Sequence, residues 1–185
     1  MPRIPKVLTR DDVDRRRLYV GIDPGQSGGI AVLSSDGSVT TLPMPTTERD
    51  VWSIFAGTNI ESASSVHAVI EKVHSMPGQG VSSTFKFGVG YGGVRMALIA
   101  AGIPFSEVTP QAWMKDLSIP KRKVGRKVKV RSKTGKVVTK VVGAETKGEF
   151  KNRLKAMAQQ LFPDVAVTLK TADALLIAYH CRRSA

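Results

Sequence analysis

Three carboxylates stand where an ionised side chain is costly to bury. Asp23 ends the apolar run Val20-Gly21-Ile22-Asp23-Pro24-Gly25, and Glu71 ends Ala68-Val69-Ile70-Glu71. Asp173 opens Ala172-Asp173-Ala174-Leu175-Leu176-Ile177-Ala178. A carboxylate among buried neighbours needs a partner or a cation. If the first two runs are adjacent parallel strands, Asp23 and Glu71 share the crevice at their carboxyl ends, and Asp173 reaches it from a packed helix. Such a group attracts hard divalent cations, Mg²⁺ or Mn²⁺, through oxygen ligands. Two ions about 4 Å apart activate water and stabilise both oxygens of an in-line phosphodiester displacement. Each acid also has a plainer reading: Asp23 as a turn residue, Glu71 as an ion pair with Lys72, Asp173 as a charge at a helix start. The specificity lies in the three together. Gly25, Gly28 and Gly29 add backbone that lets a phosphate approach closely.

The elements that must position these acids follow from periodicity. Leu18–Asp23 reads as a strand ending in a turn over Pro24–Gly29. Ile30–Ser34 and Ser38–Leu42 form a hairpin about Asp36-Gly37. Thr46 or Thr47 caps a helix through Val51, Ile54 and Phe55. Val66–Val73 is a further strand, and Ser83 to Ala101 a glycine-interrupted helix. Pro104–Val108 is a short strand, and Thr109-Pro110 starts a helix. Glu149–Leu161 is a helix stopped by Pro163, and Thr171–Arg182 is the last. Three strands in a meander, then strands alternating with helices, predict an α/β fold with a mixed sheet flanked by helices.

The chain has 185 residues, with 28 Lys+Arg against 15 Asp+Glu and a net charge of +13. That length suits one domain with an insertion. The surplus predicts a polyanionic partner, most simply nucleic acid. Ten cations and no acid fall within 121–140: Lys121, Arg122, Lys123, Arg126, Lys127, Lys129, Arg131, Lys133, Lys136 and Lys140. Residues 127–131 and 136–140 alternate or are β-branched about Ser132-Lys133-Thr134-Gly135, which predicts either a basic β-hairpin or a flexible arm inserted over 121–146. Residues 1–17 read as a polar charged tail, 18–182 as the domain and 183–185 as its end. Cys181 is the only cysteine. That excludes an intrachain disulfide and a Cys-based zinc cluster. No apolar run reaches the roughly 18 residues of a membrane helix, and Met1–Arg17 lacks the apolar stretch of a secretory signal.

Gly21-Ile22-Asp23-Pro24-Gly25 with Gly28-Gly29, then Ile70-Glu71, then Pro110-Gln111-Ala112-Trp113-Met114-Lys115, then the Asp173 motif, resemble RuvC-type Holliday junction resolvases. The stretch Glu71–Ser83 is similar to their phage and bacterial branch. The resemblance implies an RNase H-like fold with a five-stranded sheet, its first three strands antiparallel. It implies a homodimer that nicks opposed strands of a four-way DNA junction, with two Mg²⁺ or Mn²⁺ ions per site, in the cytoplasm of a bacterium or a phage-infected cell. By position it makes Asp23, Glu71 and Asp173 the metal ligands. Lys115 and Lys151 match lysines that approach DNA phosphate, and Lys147 competes with Lys151 for that alignment.

The resemblance has one departure. Three positions before the last Asp the family carries a further acid or His, and here stands Lys170. On a helix that spacing shares a face. Either Lys170 replaces part of a cation's charge or contacts the scissile phosphate, or Asp164 supplies the missing ligand. Phe85 and Phe87 are the candidate aromatics at the junction centre or, equally, at a dimer interface. His67 and His74 fit no ligand spacing and are read as structural. Two competing functions remain: a branched-DNA-binding protein with little catalysis, and an RNase H-like nuclease on another nucleic acid. A phosphotransferase with an actin-like fold needs a second half for which the chain is too short.

Overall fold

The structure, a computed structural model, describes residues 16–57, 60, 65–72, 80–131 and 133–185. Its centre is β1 (Arg17–Asp23), hydrogen-bonded antiparallel to β2 (Gly29–Ser34) and parallel to β4 (Ser65–Glu71). β3 (Val39–Pro43) pairs antiparallel with β2, and β5 (Phe105–Val108) parallel with β4. The sheet order is β3-β2-β1-β4-β5. The element pattern predicts this mixed sheet, and the resemblance implies its five strands with the first three antiparallel.

Strand parity sorts the core into two layers. Leu18, Val20, Ile22, Ile30, Ala68 and Ile70 face α1 (Glu48–Phe55) and α2 (Val81–Ala100). Ala31, Leu33 and Val69 face the other layer with α3 (Pro110–Asp116), α4 (Lys147–Leu161) and α5 (Ala172–Ser184). Ile22, Ile30 and Ile70 are all but sealed from solvent, and each such side chain contributes about 2 kcal/mol by burial. Residue 23 continues the parity of Gly21, and residue 71 that of Val69, so both carboxylates belong to the α3–α4–α5 layer.

That layer lies unusually close to β1. A Cβ on Gly21 would fall 2.1 Å from the Ala178 nitrogen and 2.2 Å from the Ala174 oxygen. Only glycine lets α5, with its small Ala174 and Ala178, settle on the central strand. At the start of β2, a Cβ on Gly29 would lie 2.8 Å from the Lys170 oxygen. Gly29 pairs with Asp23 across the β1–β2 ladder, so the start of α5 is held beside Asp23.

Local signals set the helix starts. The Thr47 side chain accepts from the Asp50 amide, so Thr47, not Thr46, caps α1. Thr109 caps α3 ahead of Pro110. Thr146 and Glu149 form a capping box that begins α4 at Lys147, two residues before the predicted start. Arg17 belongs to β1 rather than to a tail, and residues 1–15 lie outside the described residues. The strand predicted to reach Val73 ends at Glu71, and Val73 and His74 also lie outside them.

The inserted segment forms a two-stranded ribbon. β6 (Arg126–Arg131) pairs antiparallel with β7 (Val137–Val142). Val141 and Val142 pair with Lys127 and Arg126, extending the hairpin two residues beyond the predicted strand. Gly135 takes φ 78° in its turn, a conformation that favours glycine. Among the described residues, no helix is long and apolar enough to cross a membrane.

Candidate active site

Asp23 is the last residue of β1 and Glu71 the last of the neighbouring parallel strand β4. Asp173 lies in the first turn of α5. Asp23 and Asp173 are 9% and 8% exposed, and Glu71 is partly buried. The charge of Asp173 reaches Asp23, and the charges of both reach Glu71. Burial raises the Asp23 pKa, and the negative charge of Asp173 adds to the rise. Burial also pushes Glu71 up to about 7, with Asp23 and Asp173 adding and the Trp113 hydrogen bond opposing.

Two side chains compensate these acids. Lys151, in the second turn of α4, places Nζ 3.0 Å from Asp173 Oδ2. Burial pulls the Lys151 pKa down, but Asp173, Asp23 and Glu71 outweigh it and hold the ammonium above its ordinary value. Trp113, 1% exposed, donates its indole Nε1–H to Glu71 Oε1 at 2.9 Å. Asp116 on the same short helix accepts from or pairs with His180 Nδ1 of α5 at 2.8 Å, which ties α3 to the layer. Asp173 Oδ1 is buried with no hydrogen-bond partner.

The turn after β1 completes the concavity. Asp23 Oδ1 accepts from the Gly25 amide at 3.2 Å, so Asp23 is also the turn residue of its plainer reading. A Cβ on Gly28 would sit 2.3 Å from the Asp23 oxygen and 2.5 Å from its Cγ. Glycine there is what allows the turn to fold onto the carboxylate.

Other predicted site residues fall elsewhere. Lys170 precedes Thr171, the N-cap of α5, and is therefore off the helix. The face-sharing argument for Lys170 and Asp173 fails, although the Lys170 backbone lies next to Gly29 at the edge of the site. Its side chain is exposed. Asp164 is exposed beyond the far end of α4. Lys151 and Leu161 are ten residues apart on that helix, about 15 Å at its usual rise, so Asp164 does not supply a missing ligand. Lys147 is exposed one turn before Lys151 and makes no ion pair among the described residues. Lys115 is exposed on α3, two residues beyond Trp113 and so on a different face.

Lys121, Arg122, Lys123, Arg126, Lys127, Lys129, Arg131 and Lys133 lie on or beside the ribbon, and none makes an ion pair with the three acids among the described residues. Phe85 and Phe87 line a groove of about 570 Å³ with Pro24, Gln26 and Thr47. It opens on the opposite layer, at the same end of the sheet as Asp23. His67 lies within β4, and its carbonyl accepts from the Cys181 thiol at 3.5 Å, a structural role.

The expectation of a ready-made three-carboxylate cage differs from the structure. Among the described residues no three His, Cys, Asp or Glu side chains are close enough together to hold a metal ion. The Lys151 ammonium carries the positive charge instead. The chemistry of the donors nonetheless suits a hard cation: three carboxylates at one end of the sheet, one with an unpartnered buried oxygen. Sequence reasoning missed Trp113 as a site residue. Its signal was an indole inside the very motif from which only Lys115 was drawn.

No protein-family model matches the chain, and no curated protein matches it. Among solved structures it is similar to RuvC of T. thermophilus in complex with a Holliday junction substrate, at 15% identity and TM-score 0.50, over 90% of this chain and 91% of that one. A second structure of Thermus thermophilus RuvC matches at 16% identity and TM-score 0.48, over 89% and 92%. The likeness shows that the chain has a RuvC-like fold.

Proposed function

We propose that the protein is a metal-dependent endonuclease that nicks opposed strands of four-way DNA junctions, leaving 5′-phosphate and 3′-hydroxyl ends. One observation carries the reading: Asp23, Glu71 and Asp173 arrive from three elements at one end of the sheet, where the charge of Asp173 reaches Asp23 and the charges of both reach Glu71. The net charge of +13 supports a polyanionic substrate. The RuvC neighbour was solved with a Holliday junction substrate, which supports a branched one.

Asp23, Glu71 and Asp173 are the side chains that would hold Mg²⁺ or Mn²⁺. When bound, the cation activates water and offsets charge on the scissile phosphate. Without a cation, burial pushes the Glu71 pKa up to about 7, so cation binding near neutral pH displaces its proton. Trp113 fixes one of its oxygens and leaves the other for the cation. Lys151 supplies positive charge beside Asp173 that a phosphate can share. Lys115, Lys147 and Lys170 are exposed cations available to the DNA backbone.

The homodimer has a candidate surface on α2. Val81, Phe85, Val89, Met96 and Ile99 are exposed along it, at the three- and four-residue steps of one helical stripe. Gly88 and Gly92 meet nothing within 4 Å of a built Cβ, so a second helix can approach closely. A labelled synthetic four-way junction incubated with the protein and Mg²⁺ or Mn²⁺ tests the function. Paired nicks in opposed strands, absent from linear duplex, are the expected result. Binding without nicks points to a branched-DNA-binding protein, and preferential cleavage of an RNA–DNA hybrid to another nuclease.

A further inference from the structure

The ribbon is exposed on both faces, less on the face that carries the half-buried Val128 and Val130. Cross-strand partners share a face. One face carries Lys127, Lys129 and Arg131 opposite Val141, Thr139 and Val137, and the other carries Arg126 and Val130 opposite Val142 and Val138. Val137 and Val141 are 62% and 57% exposed on the first face, and Val138 and Val142 are 37% and 47% exposed on the second. The chief packing partner of each ribbon strand is the other. Isolated two-stranded ribbons are marginal in water, and β-branched apolar groups on their faces normally find a cover.

Its root, in contrast, is fixed. Arg153 of α4 forks onto Glu145, Nε to Oε1 at 2.9 Å and Nη2 to Oε2 at 3.0 Å. Its Nη1 also donates to the Pro120 carbonyl at 3.0 Å. The Glu145 amide donates to the Lys123 carbonyl at 3.1 Å, and the Lys123 amide to Glu145 Oε2 at 3.2 Å. Both ends of the insertion are thereby clasped to α4, two residues from Lys151.

A cationic pad that lay flat along phosphates would need only one bare face. A ribbon with exposed cations and methyl groups on both sides, rooted on the helix that carries Lys151, suits a slot with two walls. We propose that the β6–β7 ribbon enters the major groove of a duplex arm. That groove, about 12 Å wide, admits a two-stranded ribbon and displays thymine methyl groups to apolar side chains. Six residues at about 3.4 Å each reach about 20 Å, or about six base steps. Lys127, Lys129 and Arg131 meet phosphates or guanine edges, and the valines of β7 meet methyl groups. This rests on the reading of the protein as a binder of branched DNA and assigns the part of the DNA that the ribbon occupies.

The test is methylation of a labelled four-way junction by dimethyl sulfate with the full chain bound. The reagent reports guanine N7 in the major groove and adenine N3 in the minor groove. The expected result is N7 protection over about six base pairs of an arm, with adenine N3 still reactive. The K127A/K129A/R131A variant, altered only at exposed positions, loses that protection, and its salt dependence of log K becomes shallower by about three, at about 0.9 per phosphate contact. Uracil in place of thymine along that stretch weakens binding several-fold for the wild type but not for V137S/V141S. Adenine N3 protection on the arm, or N7 protection unchanged in the triple variant, overturns the ribbon assignment while leaving the nuclease reading intact. A change of oligomeric state in V137S/V141S with unchanged N7 protection makes the ribbon a protein interface instead. Failure of the chain to bind any DNA overturns both readings.

Discussion

Trp113 donates its indole N–H to Glu71 Oε1 at 2.9 Å, joining two residues 42 positions apart. This bond is the one influence from an uncharged group that lowers the Glu71 pKa against burial. In Trp113→Phe the ring stays but the donor goes. Glu71 then titrates above its present value of about 7. The acid limb of the nicking rate against pH moves to higher pH, while junction affinity stays within about twofold. An unshifted limb contradicts a role for Trp113 in setting the charge of Glu71.

Glu71 makes the cation-free protein sensitive to pH. Its folded pKa of about 7 exceeds the ordinary 4.5. The folded state therefore holds a proton that the unfolded state releases, and stability falls as pH rises from about 4.5 to about 7. The loss is on the order of 3 kcal/mol at most. Urea midpoints measured in chelator across this window should fall for the wild type and flatten for Glu71→Gln. Mn²⁺ at neutral pH should restore the midpoint of the wild type, because it binds the ionised form.

Lys151 and the divalent cation offset the same negative charge in different ways. Lys151→Met removes the ammonium from Asp173 Oδ2. The lysine side chain is 42% exposed, so solvent screening limits the loss to about 1 kcal/mol. Calorimetry should show a lower Tm in chelator and a larger rise on adding Mn²⁺ than in the wild type. An equal rise in both proteins would separate Lys151 from the cation site.

Two glycines are required by close approach, one beneath α5 and one beside Asp23. Gly21→Ala puts a Cβ 2.1 Å from the Ala178 nitrogen, which forces α5 off β1. A loss of about 3 kcal/mol or more is expected, as for overpacking against backbone that cannot yield. Gly28→Ala puts a Cβ 2.3 Å from the Asp23 backbone oxygen and 2.5 Å from its Cγ, so it lowers the urea midpoint too and also displaces the carboxylate. Nicking per folded molecule should fall at least tenfold in Gly28→Ala. Wild-type nicking by folded Gly28→Ala would contradict the placement of that turn at the site.

Arg153 holds the ribbon's root through a fork that lysine lacks. Both Arg153→Ala and Arg153→Lys should therefore speed tryptic cleavage within 121–131, while cleavage in the sheet stays slow. Rescue by lysine would reduce the clasp to a simple charge pair.

Much of this was legible before any coordinates. The apolar runs ending at Asp23 and Glu71 marked both carboxylates as strand ends, the order of elements predicted a mixed sheet flanked by helices, and the RuvC resemblance implied its five strands. The choice between Lys147 and Lys151 was not legible. They are four apart and share a face, and only the docking of α4 brings the second onto Asp173. Lys170 was misplaced because Thr171, the N-cap of α5, makes no capping side-chain bond that would mark the helix start. Trp113 was passed over because hydrophobic periodicity explains a buried indole without its N–H. The Glu145–Arg153 clasp links residues eight apart, one of them ahead of the helix, a spacing that marks no helix-surface pair.

Asp23→Asn tests the central claim most directly, because it neutralises the most central acid with little change of shape. Junction affinity and nicking should be measured together, in Mn²⁺ and at fixed salt. The account predicts affinity within about threefold of wild type and nicking reduced at least a thousandfold. Wild-type nicking by this variant would contradict the placement of a cation-dependent nuclease site at Asp23, Glu71 and Asp173.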